Sequence, residues 1–168
     1  MIHKAYFAGG CFWCISPAFR DLIGVTGVVS GYSGGQEKDP RYEDVKGQRT
    51  HHRETVQVSY EDGITDFPHL MTAFLENVDP FDGGGQFIDR GQSYTLAVYY
   101  TGEDERQEAE RQIRALAETS GREPEIALEP FTAFYEAEEY HQDYDLKNPE
   151  AYKREIEESG RGRFKNGL

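Results

Sequence analysis

Cysteine is scarce in this chain: two residues in 168, alongside a single tryptophan and two methionines. So few thiols exclude a disulfide-stapled scaffold, and a chain of this length buries a hydrophobic core without staples or a structural metal. Basic charge is also short. Eighteen Lys and Arg stand against 31 Asp and Glu, for a formal net charge of -13, which argues against a phosphate-tracking nucleic-acid surface and against an anionic membrane as partner. No apolar run approaches the roughly 18 residues that cross a bilayer. The opening segment, MIHKAYFAGG, lacks the apolar stretch and cleavage pattern of a secretory signal. The expected address is the cytoplasm, where a CxxC pair is catalytic, redox-active or metal-binding rather than structural.

What is present is concentrated. Both cysteines and the tryptophan fall inside the six residues GGCFWC, positions 9 to 14. Lys4 to Ala8 reads as a strand, Gly9-Gly10 as a turn, and Phe19, Leu22 and Ile23 as the apolar stripe of a helix ending at Gly24. That helix starts near Trp13 or, with Ser16 as N-cap and proline in its first turn, slightly later. Either start puts Cys11 and Cys14 at a helix N-terminus, where unpaired N-H groups and the helix dipole stabilise a thiolate. Three positions apart, the two thiols can reach one another, so oxidation of one can be closed into a disulfide by the other. Packing of both as small buried hydrophobes is the plainer alternative.

Further strands are expected over Val25 to Tyr32, Thr55 to Tyr60, Tyr94 to Tyr100 and Glu125 to Leu128. Phe67, Leu70, Met71, Phe74, Leu75 and Val78 mark an amphipathic helix capped by Asp66, and Glu103 to Ser120 a second one with Ala109, Ile113 and Leu116 facing inward. The glycine- and aspartate-rich residues 79 to 93 are expected to be irregular. Beyond Glu129 only Glu136 to Tyr144 looks helical. This order suits an α+β two-layer sandwich with a ferredoxin-like core: helices on a mixed or antiparallel sheet, two long loops, and an irregular C-terminal tail from about 129 wrapping a single catalytic domain over 1-168.

Three other residue types carry candidate chemistry. Glu54 enters a strand of alternating burial, where a carboxyl held in an apolar setting has a raised pKa and can deliver a proton. Tyr32, Tyr42 and Tyr94 flank the long loops, and a partly buried tyrosine hydroxyl can donate to an oxygen that gains charge. His51, His52 and His141 are the candidates for completing a zinc site with the cysteines. There is no second CxxC and no H-x3-H, so no metal is expected.

These residues sit in motifs that resemble the A-type peptide methionine sulfoxide reductases over nearly the whole chain. After GCFW come GYSGG (31 to 35), DPRYEDV (39 to 45), HHRETV (51 to 56), FLENVDP (74 to 80) and FIDRGQSY (87 to 94), in that family's order. The resemblance implies Cys11 as nucleophile, Phe12 and Trp13 as the apolar wall for the substrate S-methyl group, and Glu54 as proton donor. It assigns Tyr42 and Tyr94 to the sulfoxide oxygen and Asp89 to the substrate backbone. It further implies reduction of the S-sulfoxide of methionine, free and in oxidised proteins, without a bound cofactor, with thioredoxin as external reductant and the chain acting as a monomer. Many relatives keep resolving cysteines near the C-terminus. This chain has none there, which leaves Cys14 as the internal candidate. Two rival readings are a thioredoxin-like disulfide oxidoreductase, from CxxC alone, and a non-enzymatic module that binds metal or oxidised methionine.

Overall fold

The fold is described from a computed structural model, in which residues 1-161 are described. Strand β1 (Ile2–Gly9) leads through Gly10 into helix α1 (Phe12–Arg20) and back along β2 (Val25–Ser33); a short α2 (Tyr42–Lys46) precedes β3 (Arg53–Glu61) and α3 (Phe67–Glu76). A two-strand ribbon, β4 (Gly85–Gln86) with β5 (Asp89–Arg90), and a 3-10 turn over Gln92–Tyr94 lead into β6 (Leu96–Tyr100), α4 (Glu103–Ser120) and β7 (Ile126–Pro130). The chain then adds β8 (Phe134–Glu136), a 3-10 turn at Glu139–His141, α5 (Tyr144–Lys147) and α6 (Pro149–Ser159). The main sheet has the order β7-β6-β1-β3-β2-β8, antiparallel throughout except for the β6-β7 pair. The architecture is mixed α+β with a mostly antiparallel sheet.

Strand alternation decides what each face buries. Ala5 and Phe7 of β1 point toward the helices, and Phe7 sits among Phe19, Phe67 and Phe74, with ring centroids 4.9, 5.8 and 5.2 Å away. Tyr6 and Ala8 point the other way, with Ala97 and Tyr99, and are covered by Phe131 and Phe134; Tyr6 stacks on Phe131 at 4.0 Å. Burying each such ring stabilises the fold by about 1.5–3 kcal/mol. The segment after β7 is therefore what roofs the second face of the sheet.

Several expectations are corrected. Helix α1 stops at Arg20 rather than running to Gly24, because Asp21 already caps it, and Ile23 is left 85% exposed rather than inward. The start near Trp13 is the observed one, so Ser16-Pro17 lies inside the helix, and the Ser16 hydroxyl donates to the Phe12 carbonyl at 2.7 Å. The stretch 79 to 93 contains the β4-β5 ribbon. Residues 136 to 144 are not one helix: they end β8, make the 3-10 turn and pass a left-handed Asp143. The tail is not irregular either, since α6 fills 149 to 159. Pro149 in its first turn and the left-handed Gly160 at its cap were the signals for it. The last seven positions of the expected polar tail, 162-168, lie outside the described residues.

Candidate active site

Gly10 carries the turn from β1 into α1. Its φ of +86° is left-handed, and a Cβ there would lie 2.7 Å from the Cβ of Gln86. The next residue, Cys11, is the N-cap of α1, and its carbonyl accepts from the N-H groups of Cys14 and Ile15 at 3.0 and 3.3 Å. Cys11, Cys14 and Tyr94 form one buried cluster, with Trp13 and Ile156 packed against it.

Glu54 stands opposite Tyr32 in the β2-β3 register and is 1% exposed. Its Oε1 accepts from the Phe12 N-H at 3.2 Å, while Oε2 has no partner among the described residues. Burial, reinforced by Asp89 and Cys14 and opposed by the Phe12 N-H, pushes this carboxyl up to about 8. At neutral pH it holds a proton next to the CxxC turn. Asp89, on β5, is also pushed up by burial.

The two thiols differ from expectation. A hydrogen bond joins them. Cys14 is lowered because it accepts that bond and feels the Arg161 guanidinium; Cys11 is pushed up as the donor, by burial, and by the carboxyls of Glu54 and Asp89. Only Cys14 is lowered, and the Cys11 hydrogen bond and Arg161 are what lower it.

Tyr42 and Tyr94 both approach this pair. Each is held well above the usual phenol range, by burial first and then by Glu54, and they share a hydrogen bond. Both hydroxyls therefore remain donors at any working pH. Two anchors fix the loop segments that carry them. Glu138 accepts from the Tyr42 N-H at 3.0 Å and from the Tyr32 hydroxyl at 2.8 Å. Gln48 donates to the Ser93 hydroxyl at 2.8 Å and accepts from the Ser93 N-H at 3.1 Å. On the other flank, Trp13 stacks on Tyr144 at 3.9 Å with 9° between planes, and its Nε1 donates to His141 Nδ1 at 3.0 Å.

All eight residues assigned from the sequence thus converge on the end of the sheet where α1 begins, linked by packing, hydrogen bonds or charge. Of the candidate histidines, only His141 reaches it, as the acceptor for Trp13 Nε1; His51 and His52 do not. His52 is buried, accepting from the Gly35 N-H at 3.1 Å and donating to the Glu37 carbonyl at 2.7 Å, while His51 is exposed. No group of three or more His, Cys, Asp or Glu placed to hold a metal occurs among the described residues. Glu138, Gln48 and the Trp13-His141 bond were missed by sequence reasoning, because each acts across more than forty positions with no local pattern to announce it.

A family model described as peptide methionine sulfoxide reductase matches residues 3–167. The chain is 43% identical to "Peptide methionine sulfoxide reductase MsrA" of Bacillus velezensis over 162 residues, 95% of this chain and 92% of that protein. The same-named protein of Bacillus subtilis is 42% identical, with the same coverage of both chains. Among solved structures, reduced Mxr1 from Saccharomyces cerevisiae superposes with a TM-score of 0.83 at 27% identity, covering 89% of this chain and 87% of that one. Methionine sulfoxide reductase A of Corynebacterium diphtheriae gives 0.79 at 30% identity, covering 88% and 76%. On its sequence as on its fold, this chain belongs to the peptide methionine sulfoxide reductase family.

Proposed function

We propose that the protein reduces the S-sulfoxide of methionine, free or within oxidised proteins, using Cys11 as nucleophile. The observation that carries this reading is the Phe12 N-H bond to Glu54, which sets a protonated buried carboxyl beside the attacking thiol. Sulfoxide sulfur is a poor electrophile until its oxygen receives a proton or strong hydrogen bonds. Glu54 delivers the proton, Tyr42 and Tyr94 donate to the same oxygen, and Cys11 Sγ attacks sulfur. Phe12 and Trp13 enclose the S-methyl group and Asp89 orients the substrate backbone.

Methionine departs, reduced by two electrons, and Cys11 keeps the oxygen as a sulfenic acid. Cys14 then attacks that sulfur, water leaves, and a Cys11-Cys14 disulfide forms. The lowered Cys14 thiol suits this step, since the thiolate is the attacking form. No bound cofactor is needed. Electrons enter from an external dithiol, and we assign that role to thioredoxin in the cytoplasm, whose reducing poise keeps thiols free.

One chain supplies every residue in the scheme, so we expect a monomer and a single catalytic domain over 1-168. The order β6-β1-β3-β2, with α1 and α3 as crossovers, supports a ferredoxin-like core. No helix of the described residues is long and apolar enough to cross a membrane.

The test is a single turnover. Reduced protein mixed with one equivalent of methionine S-sulfoxide, without reductant, is expected to release one methionine and form a Cys11-Cys14 disulfide detectable by mass spectrometry. Unchanged thiols and no methionine would sink the reading.

A further inference from the structure

A cavity of about 300 Å³ opens at the seam between α1 and α6, and Cys14 forms part of its wall while Cys11 does not. Its lining includes Ala18 of α1, Asp21 just past that helix, Tyr152 and Ile156 of α6, and Arg161. None of Glu54, Tyr42, Tyr94 or Trp13 borders it. The CxxC pair therefore has two approaches: the substrate-facing groups crowd Cys11, and the cavity leads to Cys14.

The charged groups acting on the two thiols differ. Glu54 and Asp89 are the carboxyls acting on Cys11, whereas the largest charge acting on Cys14 is the Arg161 guanidinium, ahead of Asp89 and Glu155. Arg161 is itself held in place. It donates to the carbonyls of Asn77 and Gly9 at 3.1 and 3.3 Å, lies over the Phe87 ring at 4.6 Å, and is 9% exposed. Burial, with the Cys14 sulfur next, pushes the Tyr152 hydroxyl up to about 12 and keeps it a donor.

We propose that this cavity is the entry for the reductant: a thiolate of a thioredoxin-type dithiol protein reaches Cys14 Sγ through it, from the side away from the substrate. The proposal rests on the disulfide scheme above. Thiol exchange requires the nucleophile to arrive behind the sulfur it attacks, along the S-S axis. Through the cavity that sulfur is Cys14. The reductant sulfur bonds to Cys14 Sγ, the Cys11-Cys14 bond breaks, and Cys11 leaves as a thiolate that takes up a proton. The second reductant thiolate then attacks its own partner sulfur, closing the reductant disulfide and expelling Cys14 as a thiolate. The enzyme disulfide gains two electrons and the dithiol loses two. Attack at Cys11 would expel the better leaving group, but Cys11 does not border the cavity, and the protonated Glu54 beside it offers an incoming anion no countercharge. At Cys14 the incoming anion meets a guanidinium, and the same guanidinium stabilises Cys14 when it leaves in the second exchange.

The experiment traps the mixed disulfide. The Cys11-Cys14 disulfide is made with diamide, independently of turnover, so the location of the adduct tests this inference while methionine release tests the proposed activity. A thioredoxin whose second active-site cysteine is changed to serine is added, and the adduct is located by tandem mass spectrometry of the peptide spanning both thiols. About a tenfold excess on Cys14 over Cys11 is expected. Adducts on Cys11, or no disulfide on diamide treatment, overturn the proposal. Stopped-flow reduction by intact thioredoxin supplies the second measurement. Ala18→Glu is expected to slow it at least about threefold, and Ala18→Lys to leave it unchanged or faster. Equal slowing in both variants removes the charge argument, and no slowing in either removes the cavity.

Discussion

Trp13 Nε1 donates a hydrogen bond to His141 Nδ1, joining the active-site turn to a residue 128 positions away. Because Nδ1 accepts, the imidazole is neutral with its proton on Nε2, and burial pushes His141 down to about 4, which keeps it so. The indole we propose as part of the methyl wall is thus fixed from both sides, by this bond and by the Tyr144 stack.

His141→Phe is expected to leave the indole N-H unsatisfied at a cost of about 1–3 kcal/mol. KM should rise several-fold while kcat changes less, since the proposed wall would contact the substrate methyl rather than the reacting oxygen. Trp13 is the only tryptophan, so wild-type emission should also titrate near pH 4, where protonation turns Nδ1 into a donor. Emission that titrates near the ordinary histidine value instead would remove this account.

Glu54→Gln keeps an acceptor for the Phe12 N-H but has no proton to give. A fall in kcat of at least about a hundredfold is expected, with substrate affinity little changed. In the wild type, kcat/KM should decline as pH rises through about 8, the value to which burial pushes this carboxyl. The variant's profile should lack that limb.

The same group makes a stability prediction. Glu54 holds its proton in the folded state up to about 8 but loses it near 4.5 when unfolded. Between those values the native state binds more protons, so stability falls as pH rises across that window, by a few kcal/mol in total. Chemical denaturation at pH 5 and pH 8 should show this decline for the wild type, and a much smaller one for Glu54→Gln.

Tyr42→Phe and Tyr94→Phe should each lower kcat/KM by about tenfold. Because the two hydroxyls are bonded to one another, the double variant should lose less than the product of the two effects. Strict multiplicativity in steady-state kinetics would show that they act independently.

Glu138→Ala strands the Tyr32 hydroxyl and the Tyr42 N-H. A loss of about 2–4 kcal/mol is expected, read as a Tm lowered by at least about 4 °C. Glu138→Gln, which retains one carbonyl acceptor, should lose about half as much.

The sequence and the structure agree where local rules apply. The alternation over Thr55 to Tyr60, the stripe from Phe67 to Leu75 and the glycine turn before Cys11 all became the elements that their periods announce. The eight residues assigned from the sequence could be picked out because they lie in contiguous motifs, and the fold brings them together. What stayed hidden was long-range. Nothing near Glu138 signals that it clamps the segment bearing Tyr42. The lowering of Cys14 comes first from its hydrogen bond with Cys11 and then from Arg161, 147 positions on, a contribution no local pattern announces. The mean character of α6 is polar because most of it faces solvent, so its few inward residues, Tyr152 and Ile156 among them, gave too thin a stripe to outvote a tail.

The bonds that close the site span most of the polypeptide: Phe12 to Glu54 across 42 positions, Trp13 to His141 across 128, and Arg161 to Gly9 across 152. Such closures carry the largest loop entropy and come late in folding. A chain still emerging from a ribosome has its two thiols early but not the carboxyl geometry, the clamped indole or the guanidinium that govern them. Catalytic competence is therefore a report on complete folding, and a refolding assay should recover methionine formation only after the sheet signal has reached its plateau.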